Sequence, residues 1–176
     1  SDVSCITVES DGLESFTSVS TSDDNSSVFL MMKFSEIKDK YELEIGFGGK
    51  KEKNVFGNLL KTDRLSVMFS PEGNIEFVKC DERVIGTKEF LQSFITYGKK
   101  RYNFENTSVS QLDLAGEGEG IRVSGEIHLP KEISAGSFTY DFFKTGFSDA
   151  VFVRTTVNYP YTAETTSIST ENSALG

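Results

Sequence analysis

Polar and apolar residues alternate in short runs along most of this chain. Tyr41, Leu43, Ile45 and Phe47 share one side of an extended segment, and Glu42 and Glu44 take the other. A period of two puts successive side chains on opposite faces, which is the pattern of a half-buried strand. The same reading predicts strands over 27–34, 65–69, 75–80 and 121–129. Two more follow from the alternating sets Phe138, Tyr140, Phe142 and Val151, Val153, Thr155, Val157. Val55–Leu60 is a shorter candidate, and Lys99-Lys100-Arg101 interrupts the pattern before Tyr102-Asn103-Phe104. Ser70-Pro71-Glu72-Gly73-Asn74 has the proline and glycine of a tight turn, so 65–80 reads as a hairpin.

Three stretches break this rhythm. Residues 9–27 are crowded with Ser, Thr, Asp and Gly (Ser18, Ser20, Thr21, Ser22, Asp23 and Asp24 among them) and read as a loop or a solvated edge. Gly116–Gly120 reads as a flexible turn, and near Gly125 the alternation of the following strand slips, as at a bulge. Thr87 stands at an N-cap position, with Phe90, Leu91, Phe94 and Ile95 at helical spacing, which predicts one short helix over 87–97. From Thr162 to Gly176 the chain is rich in Ser, Thr and Glu and reads as a loose tail.

The sum is roughly seven to nine short strands, spaced by about 10–15 residues, with no alternating helices. That pattern predicts an all-β fold: an antiparallel β-sandwich or jelly roll over residues 1–161 as a single domain, followed by the tail over 162–176. At 176 residues, with fifteen Phe and six Tyr, the chain has the length and aromatic mass to bury a core.

Charge narrows the partners. The formal net charge is -9, from 27 acidic against 18 basic side chains, so nucleic acid and anionic membrane surfaces are disfavoured. No apolar run approaches the roughly 20 residues that span a bilayer, so no membrane insertion is expected. No signal-peptide pattern opens the chain. Its start at Ser1, without an initiator methionine, reads as a processed product or an excised piece.

Cys5 and Cys80 are the two cysteines. A disulfide between them would close a loop of about 75 residues, worth roughly 4 kcal/mol in the loop-entropy picture; two unrelated thiols are the alternative. Asn25-Ser26-Ser27 and Asn106-Thr107-Ser108 are glycosylation sequons in polar stretches that read as loops. Together these features point to an extracellular, secreted or virion-surface setting.

The sequence carries no catalytic motif. Gly46-Phe47-Gly48-Gly49-Lys50-Lys51 suggests a phosphate loop, but Glu44 stands where the first glycine is needed, and Lys51 where Ser or Thr is needed. His128 is the sole histidine and is expected mid-strand, facing away from Ile127 and Leu129. No Gly-x-Ser-x-Gly elbow accompanies it, and one histidine with two distant cysteines is too few ligands for zinc. Asp113, Glu117 and Glu119 lie in a Gly-rich stretch without the ligand order of a calcium loop. Neither metal nor cofactor is expected. Lys50-Lys51-Glu52-Lys53 and Lys99-Lys100-Arg101 are basic clusters suited to solvent or to an anionic partner.

The stretch Tyr41-Glu42-Leu43-Glu44-Ile45-Gly46 through Val55 resembles the signature of the farnesoic acid methyltransferase-like domain, a β-sandwich of invertebrate proteins. Phe69-Ser70-Pro71-Glu72-Gly73-Asn74-Ile75-Glu76-Phe77 resembles that family's next hairpin. The resemblance covers residues 41–85 and implies a sandwich. The family carries Trp in both stretches and this chain has none. The methyltransferase in the name finds no Gly-rich strand–helix cofactor unit here.

The expected function is therefore a non-enzymatic extracellular recognition or adhesion module for a glycan or protein ligand. Tyr97, Tyr102, Tyr159 and Tyr161 are its candidate contacts, because tyrosine joins an apolar ring to a polar tip. The alternative is a structural jelly roll of a virion or surface coat, in which the chain forms a homo-oligomer.

Overall fold

The computed structural model describes residues 6–20, 28–47, 57–88, 90–97, 99–128, 136–158 and 167–171. Among them the chain forms fifteen strands and no helix. They are β1 (Ile6–Glu9), β2 (Leu13–Ser20), β3 (Val28–Phe34), β4 (Glu44–Phe47), β5 (Leu59–Lys61), β6 (Leu65–Phe69), β7 (Ile75–Cys80) and β8 (Arg83–Gly86). They continue with β9 (Gln92–Tyr97), β10 (Lys100–Gln111), β11 (Leu114–Gly116), β12 (Gly118–Ile127), β13 (Gly136–Thr145), β14 (Val151–Asn158) and β15 (Ser167–Glu171). The all-β expectation holds, and every pairing is antiparallel.

The largest sheet has six strands in the order β14-β13-β12-β10-β9-β15. A four-stranded meander, β5-β6-β7-β8, a three-stranded sheet, β11-β2-β3, and the pair β1-β4 complete the set. One core cluster joins the six- and four-stranded sheets: Leu60, Val67, Phe69, Ile75 and Val78 meet Ile95, Ile121, Val123, Ile127, Phe138, Tyr140 and Phe142. Phe69 and Phe142 touch edge-on with ring centres 4.8 Å apart. A smaller cluster of Val19, Leu112, Leu114 and Phe143 ties the three-stranded sheet to the opposite face of the large one.

The predicted helix over 87–97 is absent. Phe90 N–H donates to the Thr87 carbonyl in a turn that ends at Leu91, whose φ is +60°, and β9 starts at the next residue. Phe90, Leu91, Phe94 and Ile95 fit a helical stripe, but 94 and 95 also lie on opposite sides of a strand. Strands β10 and β15 on both flanks supply the backbone partners. A short helix would have had to meet its nucleation cost alone.

Other expectations shift in the same way. The hydroxyl-rich stretch read as a loop contains β2, with Thr17 and Ser18 fully buried. Of Gly116–Gly120 only Glu117 lies outside a strand, and a Cβ on Gly116 would come within 2.2 Å of the Phe16 carbonyl oxygen. These glycines serve close packing rather than flexibility. Along β12 the alternation does not slip. Gly125 keeps its core-facing place, where a Cβ would stand 2.3 Å from the Phe138 ring, and the bulge lies opposite, between Asn106 and Ser108 of β10. Within the stretch read as a tail, Ser167–Glu171 add β15 alongside β9.

Candidate functional site

A cleft of about 280 Å³ opens between the two sheets that share the main core, where the β6–β7 turn meets the β8–β9 connection. Phe90, Phe104, Tyr140 and Phe142 line it with aromatic surface. Asn74, Gln92, Ser93, Asn103, Glu105 and Asn106 add amide, hydroxyl and carboxylate groups. Phe104 and Tyr140 lie on β10 and β13 with ring centres 6.4 Å apart, and Tyr140 to Phe142 is 6.1 Å. These rings are held by the strand alternation itself, since every second residue of β13 from Phe138 to Phe142 faces the core.

Asn106 fixes one end of the cleft. Its Nδ2 donates to the Gly73 carbonyl at 3.0 Å and to Asn74 Oδ1 at 3.3 Å, linking β10 to the β6–β7 turn. Gly73 must be glycine: its φ is +90°, and a Cβ would lie 2.7 Å from Val123 Cγ1. Asn106 was expected in a loop. It is instead half-buried in β10, and a glycan on Nδ2 would have to break both bonds.

Burial pushes the Tyr140 hydroxyl above the ordinary tyrosine value of 10.0, with Ser93 beside it pulling the other way. The folded state thus favours the neutral phenol. Its contribution to stability is full below about pH 10 and is lost as pH rises through the raised folded value. In an absorbance titration of the six tyrosines, one is expected to lag behind the others. Tyr140→Phe should abolish that late component; a variant with an unchanged curve would refute the assignment.

The far face of the six-stranded sheet carries a second polar arrangement. Arg122, Asp141 and Arg154 stand directly opposite one another on β12, β13 and β14. Arg122 Nε and Nη2 donate to the two Asp141 oxygens at 2.7 and 3.0 Å, and Arg154 Nε donates to Oδ2 at 3.1 Å, with its Nη2 on the same oxygen. Asp141 is wholly buried (0% exposed). Arg154 Nη1 is buried with no hydrogen-bond partner among the described residues. The next row along the sheet is all hydroxyl: Ser108, Ser124, Thr139 and Thr156.

A third feature is an open cleft of about 890 Å³ lined by Lys61, Thr62, Asp63, Glu119, Lys144 and Asp149, among others. Lys144 Nζ donates to the Lys61 carbonyl at 2.6 Å and forms an ion pair with Glu119 at 3.4 Å. Among the described residues, no group of three or more His, Cys, Asp or Glu is placed to hold a metal ion, and no helix is long and apolar enough to cross a membrane.

The sequence-derived residues scatter. Tyr97 closes β9, and Tyr102 is half-buried on β10 opposite Ile95, two rungs along the same hairpin. Tyr159, Tyr161, Asn25 and Cys5 lie outside the described residues. Cys80 ends β7 as a half-buried free thiol, 3.8 Å from Asp81 Oδ2. His128 sits just past β12, exposed, with Nε2 3.4 Å from Glu105 and 3.7 Å from Glu126. The members of the Arg–Asp–Arg row leave a trace in the sequence, though their alignment does not. Each member is a charge next to apolar residues (Ile121 and Val123, Tyr140 and Phe142, Val153), and the signs alternate across three consecutive strand candidates. Comparison of the chain with protein-family models, with curated proteins and with solved structures finds no match to any of them.

Proposed function

We propose that this chain is a non-enzymatic recognition module with a β-sandwich frame, binding a glycan through the cleft between its two main sheets. The observation that carries this reading is the pairing of aromatic walls with an exposed amide and carboxylate rim in one 280 Å³ space. A sugar ring has an apolar C–H face and polar edges, so it matches rings on one side and hydrogen-bonding groups on the other. The volume is near the lower end of ligand pockets, which run from about 300 to 1,000 Å³, so the cleft takes one sugar unit. The joint core of the four- and six-stranded sheets supports the sandwich frame, as does the resemblance of residues 41–85. The Asn25-Ser26-Ser27 sequon supports an extracellular or virion-surface setting.

The test is a glycan array followed by titration calorimetry on the best binder. Gln92→Ala and Asn103→Ala change exposed side chains at the cleft. Each is expected to weaken binding roughly three- to tenfold, the worth of about one hydrogen bond. An array without a binder, or a binder insensitive to both substitutions, sinks the reading.

A further inference from the structure

We infer that the free edge of β14 is the docking surface for a second copy of this chain, paired antiparallel about a two-fold axis. Strand β14 ends the six-stranded sheet, whose other end is taken by β15. It runs eight residues beside β13 with no register shift. Among the described residues no strand pairs with its outer side, so alternate backbone N–H and C=O groups point outward.

Natural sheets guard such edges with charge, proline, bulges or shortness. Three other free edges use these devices. Strand β3 carries Lys33, ion-paired to Glu14 at 2.6 Å, and borders a bulge at Leu13–Ser15. Strand β8 has four residues and a register shift, and β5 has three residues. Strand β14, Val-Phe-Val-Arg-Thr-Thr-Val-Asn, has none of them. Its one charge, Arg154, is turned inward to Asp141, and Val153 is 42% exposed.

The occupant follows from the strand's own register. An axis normal to the sheet keeps side chains on their own faces, so paired residues must share parity. Centring on Thr155 sets Val153 against the partner's Val157, Arg154 against the partner's Thr156, and Thr155 against itself. Seven of the eight strand residues then pair (152 to 158). Centring on Arg154 would pair as many but place two guanidinium groups face to face, which is destabilising. The strand is thus complementary to itself in one long register.

Sedimentation velocity on the full chain, over a concentration series in 0.15 M-range salt, is expected to show a monomer–dimer equilibrium. Thr155→Lys places two ammonium groups at the axis and should weaken association at least tenfold without changing the circular dichroism spectrum. Thr155→Cys, a change of similar size, should form an interchain disulfide between the introduced thiols under mild oxidation, because directly opposed Cα atoms lie about 4.5–5.5 Å apart. Peptide mass mapping separates that bond from any made by Cys5 or Cys80. A wild-type chain that stays monomeric at the highest soluble concentration overturns the inference. So does a dimer that survives Thr155→Lys and fails to crosslink through the introduced thiol.

Discussion

Asp141→Ala is expected to destabilise the domain by about 3–5 kcal/mol, the usual cost of removing one partner from a buried ion pair. Asp141 is 0% exposed, and the guanidinium groups of Arg122 and Arg154 reach it from both neighbouring strands, at 29% and 24% side-chain exposure. Without the carboxylate, the four hydrogen bonds it accepts are lost and two cations face each other across β13. Domains of this kind have about 5–15 kcal/mol of stability in all, so the loss is a large share. Urea denaturation monitored by tyrosine fluorescence measures it. Asp141→Asn should cost nearly as much, since the amide nitrogen opposes one guanidinium. The triple change Arg122→Met, Asp141→Leu, Arg154→Met should lie much closer to wild type, because well-packed apolar residues spare the desolvation of charge. A loss under about 1 kcal/mol for Asp141→Ala would mean that solvent reaches the row and screens it.

Phe138→Ala has an expected cost of similar size, about 3–5 kcal/mol, from lost transfer energy and the cavity left behind. Phe138 is 2% exposed, its ring lies 4.5 Å from that of Phe104 and 5.0 Å from that of Tyr140, and it covers the bare backbone of Gly125. Gly125 offers no side chain to fill the space, so the site collapses poorly. By the usual scaling for a chain of this size, the melting temperature should fall by roughly 6–20 °C. Phe138→Leu, which keeps most of the volume, should fall much less. Equal shifts for both variants would argue against a cavity term.

These two residues show how differently the sequence displayed its own structure. Phe138 was legible: it alternates with Tyr140 and Phe142, and burial of that set follows from a period of two. Asp141 sits inside the same strand, and its partners are 19 residues before it and 13 after it. Nothing local in the sequence says that β12, β13 and β14 align so that 122, 141 and 154 fall on one row. A shift of one residue in either pairing would send an arginine to the opposite face.

The cleft was hidden for a related reason. Phe90, Gln92 and Ser93 fall within the predicted helix because apolar residues at 90, 91, 94 and 95 satisfy two periodicities in so short a span. The strand prevailed because β10 and β15 satisfy its backbone from both sides. Asn106 was placed in a loop by its polar neighbours, yet its role is to bridge β10 to Gly73, 33 residues away.

The alternation of side chains, the turn at 70–74 and the Phe-rich composition by themselves determined that this chain is an antiparallel all-β protein with a buried aromatic core. Those are local properties, set by backbone geometry and by the free energy of burying each face. Which strands neighbour one another was decided only in the tertiary structure, and so were the row around Asp141, the cleft beside Tyr140 and, among the described residues, the open edge at β14. Pairing and register depend on contacts between residues distant in sequence, and the side-chain period of two is compatible with many such pairings.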